Sequence, residues 1–257
     1  MIGILDSGIG GLTVARHVAD LLPEYDKIYY GDTARSPYDN KSLPLIKKYA
    51  QEGIAFLMQQ GAEIILISCH CMAAALAGET FSIPVLNVIS PASALAVKQS
   101  RKGQIGIICP RAVAESRVYE QKIRDISPDA KVYTETAHLL PHMVEEGWFR
   151  RPETNMIIKK YLHPLKVRQM DTLIMGCGHY PVFGSIIAQK SGKRVKVIDP
   201  SAAIAAELKT FLSAHPELDE KLPKNGNSRF LVSDLTNHVQ KSAKLIFGRN
   251  ILLDIQR

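Results

Sequence analysis

An α/β protein built from two copies of one open-sheet unit is what the sequence predicts, on three observations. Short apolar runs of strand type alternate with segments of helical periodicity along the whole chain, the pattern of a mostly parallel sheet. Three strand-to-loop junctions recur in the same order. Ile2-Gly3-Ile4-Leu5 returns as Ile105-Gly106-Ile107-Ile108, the strand ending in Cys69 returns as one ending in Cys177, and Val88-Ile89-Ser90-Pro91 returns as Val197-Ile198-Asp199-Pro200. The offset stays between 103 and 109 residues, far longer than a solenoid repeat of roughly 20–50 residues. The third observation is size: 257 residues, 46% of them hydrophobic, suffice for two cores and exclude disorder as the main state.

Taken in order, residues 2–5 form a buried strand that breaks at the turn Asp6-Ser7-Gly8-Ile9-Gly10-Gly11. Residues 12–22 follow as a helix stopped by Pro23. Over residues 45–58, Leu45, Ile46, Tyr49, Ala50, Ile54 and Leu57 fall at helical spacing. Residues 63–68 are the next strand, almost wholly apolar, and run into Cys69-His70-Cys71. In the second copy, residues 172–176 lead to Cys177-Gly178-His179. Helical patterns over 202–211 and 235–246, separated by an exposed turn at 223–228, are expected to pack back on the first unit. That gives a discontinuous first domain, 1–98 plus 206–257, and a second domain, 99–205.

Lys and Arg number 32 against 25 Asp and Glu, a net charge of +7 that favours anionic partners without selecting one. The densest basic segment, 150–168, holds Arg150, Arg151, Lys159, Lys160, Lys166 and Arg168. It reads as an amphipathic helix with a solvated face, because no nucleic-acid motif accompanies it. No run approaches the ~18 apolar residues of a membrane span, and the N-terminus reads directly as a strand. Four cysteines make no disulfide framework, so a reducing cytoplasm is expected, with neither nucleic acid nor membrane as partner.

Ligands of open α/β sheets bind beyond the carboxyl ends of the strands, and each duplicated strand delivers a cysteine there. Facing units would bring Cys69 and Cys177 to opposite sides of one cleft. Two thiols so placed suit removal of a proton from one face of a carbon and its return to the other, one as thiolate base and one as thiol acid. A free thiol titrates near ~8.5, so neighbours must favour the thiolate. His179 and His70 are candidates, and Asp6 is placed to relay a proton beside Cys69. Cys109 reads as a small buried hydrophobe. Zinc is the rival use of Cys69-His70-Cys71 and Cys177-Gly178-His179, but adjacent residues leaving a strand point apart, unlike a zinc knuckle. No metal is expected. Gly8-Ile9-Gly10-Gly11 fails the dinucleotide fingerprint because position 13 is Thr13. It is left as an anion-binding turn or a loop needing glycine backbone angles.

These residues resemble the glutamate racemase family of the aspartate/glutamate racemase superfamily. The matching elements are Asp6-Ser7-Gly8-Ile9-Gly10-Gly11-Leu12, Gly31-Asp32-Thr33-Ala34-Arg35 with Pro37-Tyr38, the Cys69 strand end, Val144-Glu145-Glu146-Gly147, and Gly176-Cys177 with His179-Tyr180-Pro181. The resemblance implies two pseudo-symmetric open-sheet domains with the site in the cleft between them, usually in a homodimer. It implies a cofactor-independent isomerase that interconverts L- and D-glutamate and supplies D-glutamate for peptidoglycan, hence cell shape. Cys69 would deprotonate the D enantiomer and Cys177 the L, assisted by Asp6 and His179. Ser7 would hold the ammonium, with Pro37 and Tyr38 on the side-chain pocket. The chain departs from the family at the substrate grip. Where the family reads Cys-Asn-Thr it has Cys69-His70-Cys71, and where the family reads Cys-Thr-His it has Cys177-Gly178-His179. Asp39 stands for Gly, and Val113 for Thr. His70, Cys71, Gly178 and Asp39 are therefore the expected substrate-contact differences. Two alternatives follow: a racemase or epimerase for another small amino acid or carboxylic acid, and a catalytically inactive paralogue that only binds.

Overall fold

A computed structural model describes residues 1–149 and 151–256; Arg150 of the basic segment lies outside them. The chain begins with β1 (Ile2–Asp6), α1 (Leu12–Leu21), β2 (Lys27–Gly31), α2 (Leu43–Gln59), β3 (Ile64–Ile67), α3 (His70–Ala75), β4 (Val85–Asn87) and α4 (Ile89–Gln99). It continues with β5 (Gln104–Cys109), α5 (Arg111–Ser116), α6 (Val118–Ile126), β6 (Lys131–Thr136), α7 (Leu139–Glu145), α8 (Pro152–Val167), β7 (Thr172–Met175), α9 (Gly184–Ser191) and β8 (Lys196–Ile198). The last elements are α10 (Pro200–Ala214), α11 (Pro216–Asp219), β9 (Ser228–Val232), α12 (Asn237–Phe247) and β10 (Asp254–Ile255).

Two all-parallel sheets result, ordered β10-β9-β2-β1-β3-β4 and β6-β5-β7-β8. The run β2-β1-β3-β4 has the same strand order as the whole second sheet, so the recurring junctions of the sequence are equivalent positions in two like-wound units. Every residue of β1 and β3 is buried, as is every residue of β7. Successive strand side chains point to opposite faces, so helices must cover both sides of each sheet, as parallel sheets require. In each unit the order reverses between the first and third strands, β1 and β3 or β5 and β7. A crevice opens at their carboxyl ends at such a switch point, and Asp6, Cys69, Cys109 and Cys177 all stand there.

The helices expected over 12–22, 45–58, 202–211 and 235–246 are α1, α2, α10 and α12 with slightly different ends. α8 is the basic amphipathic helix, with Ile158, Leu162 and Leu165 inward and Lys159 and Lys160 exposed. α10 packs on α1 and α4, and α12 on α1 and α7. The C-terminal chain thus returns to the first sheet and adds two strands, β9 and β10, that the sequence reading did not anticipate. Among the described residues no helix is long and apolar enough to cross a membrane.

Candidate active site

All eleven residues singled out from the sequence line one cavity between the two sheets: Asp6, Ser7, Pro37, Tyr38, Asp39, Cys69, His70, Cys71, Cys177, Gly178 and His179. The loop after β1 supplies Asp6 and Ser7. The Asp6 carboxylate accepts from Gly8 N at 3.0 Å and from Ser68 Oγ at 3.0 Å. Burial raises its pKa, and no hydrogen bond joins it to Cys69 here. Gly11 makes room for this arrangement, since a Cβ there would stand 2.1 Å from Ser68 Oγ and 2.6 Å from Asp6 Oδ2. None of Gly8, Gly10 and Gly11 has a positive φ. The glycines of this turn answer a demand for space and not, as one reading of the sequence had it, for unusual backbone angles.

Cys69 ends the β3 segment as the N-cap of α3, with extended backbone, and is 7% exposed. Its thiol donates to Ser7 Oγ at 3.2 Å; once Cys69 ionises, the hydroxyl rotates and donates instead. The neighbouring Cys71 thiol, more than any other group, draws the Cys69 pKa below the ordinary thiol range, against the opposing effect of burial. Proximity to Cys69 and burial push Cys71 far up, so Cys71 stays protonated. His70 is fully buried, with both ring nitrogens unpartnered, and burial drops its pKa to about 3. It is neutral at physiological pH and brings no positive charge to Cys69, although it retains one N–H to offer a ligand.

Cys177 follows β7 and is 8% exposed. Burial raises its pKa, outweighing His179, whose Nδ1 lies 3.8 Å from the sulfur. The other ring nitrogen of His179 is 3.3 Å from Glu145 Oε1, at the end of α7. Against its own burial, the Cys177 sulfur once ionised, together with Glu145, pushes His179 well above the ordinary imidazole range. Glu145 was visible only as part of Val144-Glu145-Glu146-Gly147; its place beside His179 follows from α7 packing beside the 180–183 turn. Tyr180, buried in that turn, donates to Ala137 O at 2.9 Å and fixes the loop.

Gly178 touches the opposite unit directly. A Cβ on it would come within 2.9 Å of both the carbonyl carbon and oxygen of Gly10, and Thr13 Oγ1 donates to Gly178 O at 3.4 Å. Val113 does not line the cavity; it is buried on α5. Cys109 is wholly buried and its ionisation is suppressed by burial, as expected of a structural thiol. Tyr38 donates to Asp32, which also takes Arg35. Among the described residues no Lys or Arg lines the cavity, while Asp6, Asp39 and Glu145 do. No cluster of metal-ligating side chains occurs among the described residues.

The geometry is that of two buried thiols, from equivalent strand ends, with opposite proton preferences across one cleft. Cys69 is drawn toward thiolate and Cys177 held as thiol. Residues 13–208 match the Asp/Glu/Hydantoin racemase family, and the chain belongs to that family of amino-acid racemases. Among its relatives, a glutamate racemase of Syntrophus aciditrophicus is 33% identical over 97% of this chain and 93% of its own length, and one of Chlorobaculum tepidum is 34% identical over the same shares. Among solved structures, a glutamate racemase isoform from Bacillus anthracis superposes with a TM-score of 0.93 at 32% identity, covering 100% of this chain and 97% of that one. The Francisella tularensis glutamate racemase in complex with D-glutamate gives 0.90 at 31% identity, over the same shares.

Proposed function

We propose that this racemase interconverts L- and D-glutamate by a two-cysteine acid/base mechanism, without an organic cofactor or metal. The observation that carries this reading is that Cys69 and Cys177, at equivalent strand ends of the two units, line one cavity, and their surroundings bias them in opposite directions. With D-glutamate bound, the Cys69 thiolate takes the α-proton and the Cys177 thiol returns one to the opposite face. Cys69 ends protonated and Cys177 ends as a thiolate beside the protonated His179, which stabilises the charge just formed there. The L-to-D direction reverses each transfer. Ser7 steadies Cys69 and meets the ammonium, and Asp6 assists on the Cys69 side. Pro37, Tyr38 and Asp39 face the substrate side chain. His70, Cys71 and Gly178 replace the family's carboxylate grip. Among the described residues no lysine or arginine lines the cavity, and backbone N–H groups and the His70 N–H hold the two carboxylates.

The proposal extends to context: a cytoplasmic homodimer supplying D-glutamate for peptidoglycan, with domains 1–98 plus 206–257 and 99–205. A second reading, the same chemistry on a different small acid, is favoured by Asp39, which adds a negative charge where a γ-carboxylate would lie. Proton exchange followed by NMR in D₂O separates these readings. Enzyme-dependent loss of the Cα proton from glutamate, with the opposite enantiomer appearing, supports the first. Exchange on another acid alone supports the second, and silence with every acid tested leaves a binding paralogue. Cys69→Ala and Cys177→Ala are each expected to lower racemisation by about two to four orders of magnitude. Near-native turnover of either, measured by polarimetry, overturns the two-base mechanism.

A further inference from the structure

The charge of +7 is unevenly placed. Residues 99–205 contain 17 Lys and Arg against 10 Asp and Glu, so the whole excess lies in that segment and the other 150 residues balance at 15 of each. Part of the excess gathers at the edge of the second sheet opposite the active-site cleft. Arg101 and Lys102 stand in the turn entering β5, Lys193 and Arg194 in the turn entering β8, and Lys196 is the first residue of β8. They surround a groove of about 640 Å³, inside the ~300–1,000 Å³ range of small-molecule sites. All five side chains are exposed, and none pairs with a carboxylate among the described residues.

The one acid lining the groove, Asp171, is already committed. It accepts from Ser100 Oγ at 2.7 Å, Arg101 N at 2.8 Å and Lys102 N at 2.6 Å. Its carboxylate folds the 100–102 turn and holds two of the cations at the rim, leaving their side-chain charges unanswered. We propose that this groove binds a compact polyanion carrying two or more phosphate groups. Two guanidinium forks match phosphate oxygens and three ammonium groups add point charge. No aromatic ring lines the groove to stack a base, and no free carboxylate is left to take a sugar hydroxyl, so charge density is what the site can read. A single phosphate would leave most of the five cations unmatched. The concave shape and volume suit a small molecule better than a nucleic-acid duplex, whose backbone spreads its charge along an extended surface.

Isothermal titration of the full chain with inorganic tripolyphosphate at about 100 mM salt tests this. Saturable one-site binding is expected, with orthophosphate at least tenfold weaker. The variant Arg101→Gln/Arg194→Gln/Lys196→Gln should lose at least tenfold in affinity while keeping the wild-type melting temperature, its residues being exposed. A control of equal charge change in the same segment, Lys122→Gln/Lys159→Gln/Lys160→Gln, should bind as wild type. The proposal is overturned by absence of saturable binding, by equal weakening in both variants, or by a 20-base-pair DNA duplex binding more tightly than tripolyphosphate.

Discussion

His70 carries an unusual burden. Its ring is buried with neither nitrogen satisfied, and its pKa lies at about 3, whereas the unfolded chain binds a proton near ~6.5. Below pH 6.5 the unfolded state therefore holds the extra proton, and stability falls as pH drops from 6.5 towards 3 by about 1.4 kcal/mol per unit. At pH 5 the loss should reach ~2 kcal/mol relative to pH 7, and His70→Asn should lose less. Urea unfolding at the two pH values checks this; equal losses in both proteins would show that His70 is not the source. Gly178 poses the opposite problem. Threonine, the family residue, would drive a Cβ to within 2.9 Å of the Gly10 backbone, and overpacking of this kind costs ~1–3 kcal/mol. Gly178→Thr is expected to lower the melting temperature measurably; an unchanged melt would mean the two loops separate freely.

At the level of elements, α12 holds part of the site from a distance. Ser242 Oγ, on α12, donates to Glu145 O at 3.2 Å, so the helix braces the end of α7 from which Glu145 reaches His179. α12 is itself capped by Thr236, whose Oγ1 accepts from Val239 N at 3.2 Å. Thr236→Ala should cost about 1 kcal/mol in denaturant unfolding. How legible each element is in the sequence follows from its surroundings. β1, β3, β5 and β7 are central strands, and their nearly unbroken apolar runs announce them. β6, Lys-Val-Tyr-Thr-Glu-Thr, is an edge strand with alternating polar residues, and β9 begins with exposed Ser228 and Arg229; neither offers such a run. Cys69-His70-Cys71 and Cys177-Gly178-His179 were legible because the repeat places them at strand ends, whereas Ser7, Pro37, Tyr38 and Asp39 were legible only through the resemblance to the family. The influence of Cys71 on Cys69 was not legible, because it arises at the first turn of α3, where an apolar strand passes into an apolar helix without a break. Glu145 escaped because its partner is 34 residues away and no periodicity joins them.

For the molecule as a whole, the cavity measures only about 50 Å³, well under the several hundred Å³ of sites that enclose small ligands. The loops bearing Gly10 and Gly178 touch each other along its lining, and the two units are expected to part when an amino acid enters. The pairing of the first sheet has another consequence, one of timing. Lys27 of β2 lies opposite Ser228 of β9, and Asp26 accepts from Asn225 and Asn227 across the same gap. A chain leaving the ribosome completes the second sheet once residue 198 has emerged, but the first must wait for residue 232 and beyond. Until then β2, with Tyr29 and Tyr30, is an unpaired edge of the kind that recruits other chains. A chain ending at residue 226 is therefore expected to aggregate, as seen by light scattering at concentrations where the full-length protein stays dispersed. Synthesis thus passes through an interval in which the part of the protein made first is the last to be safe from its neighbours.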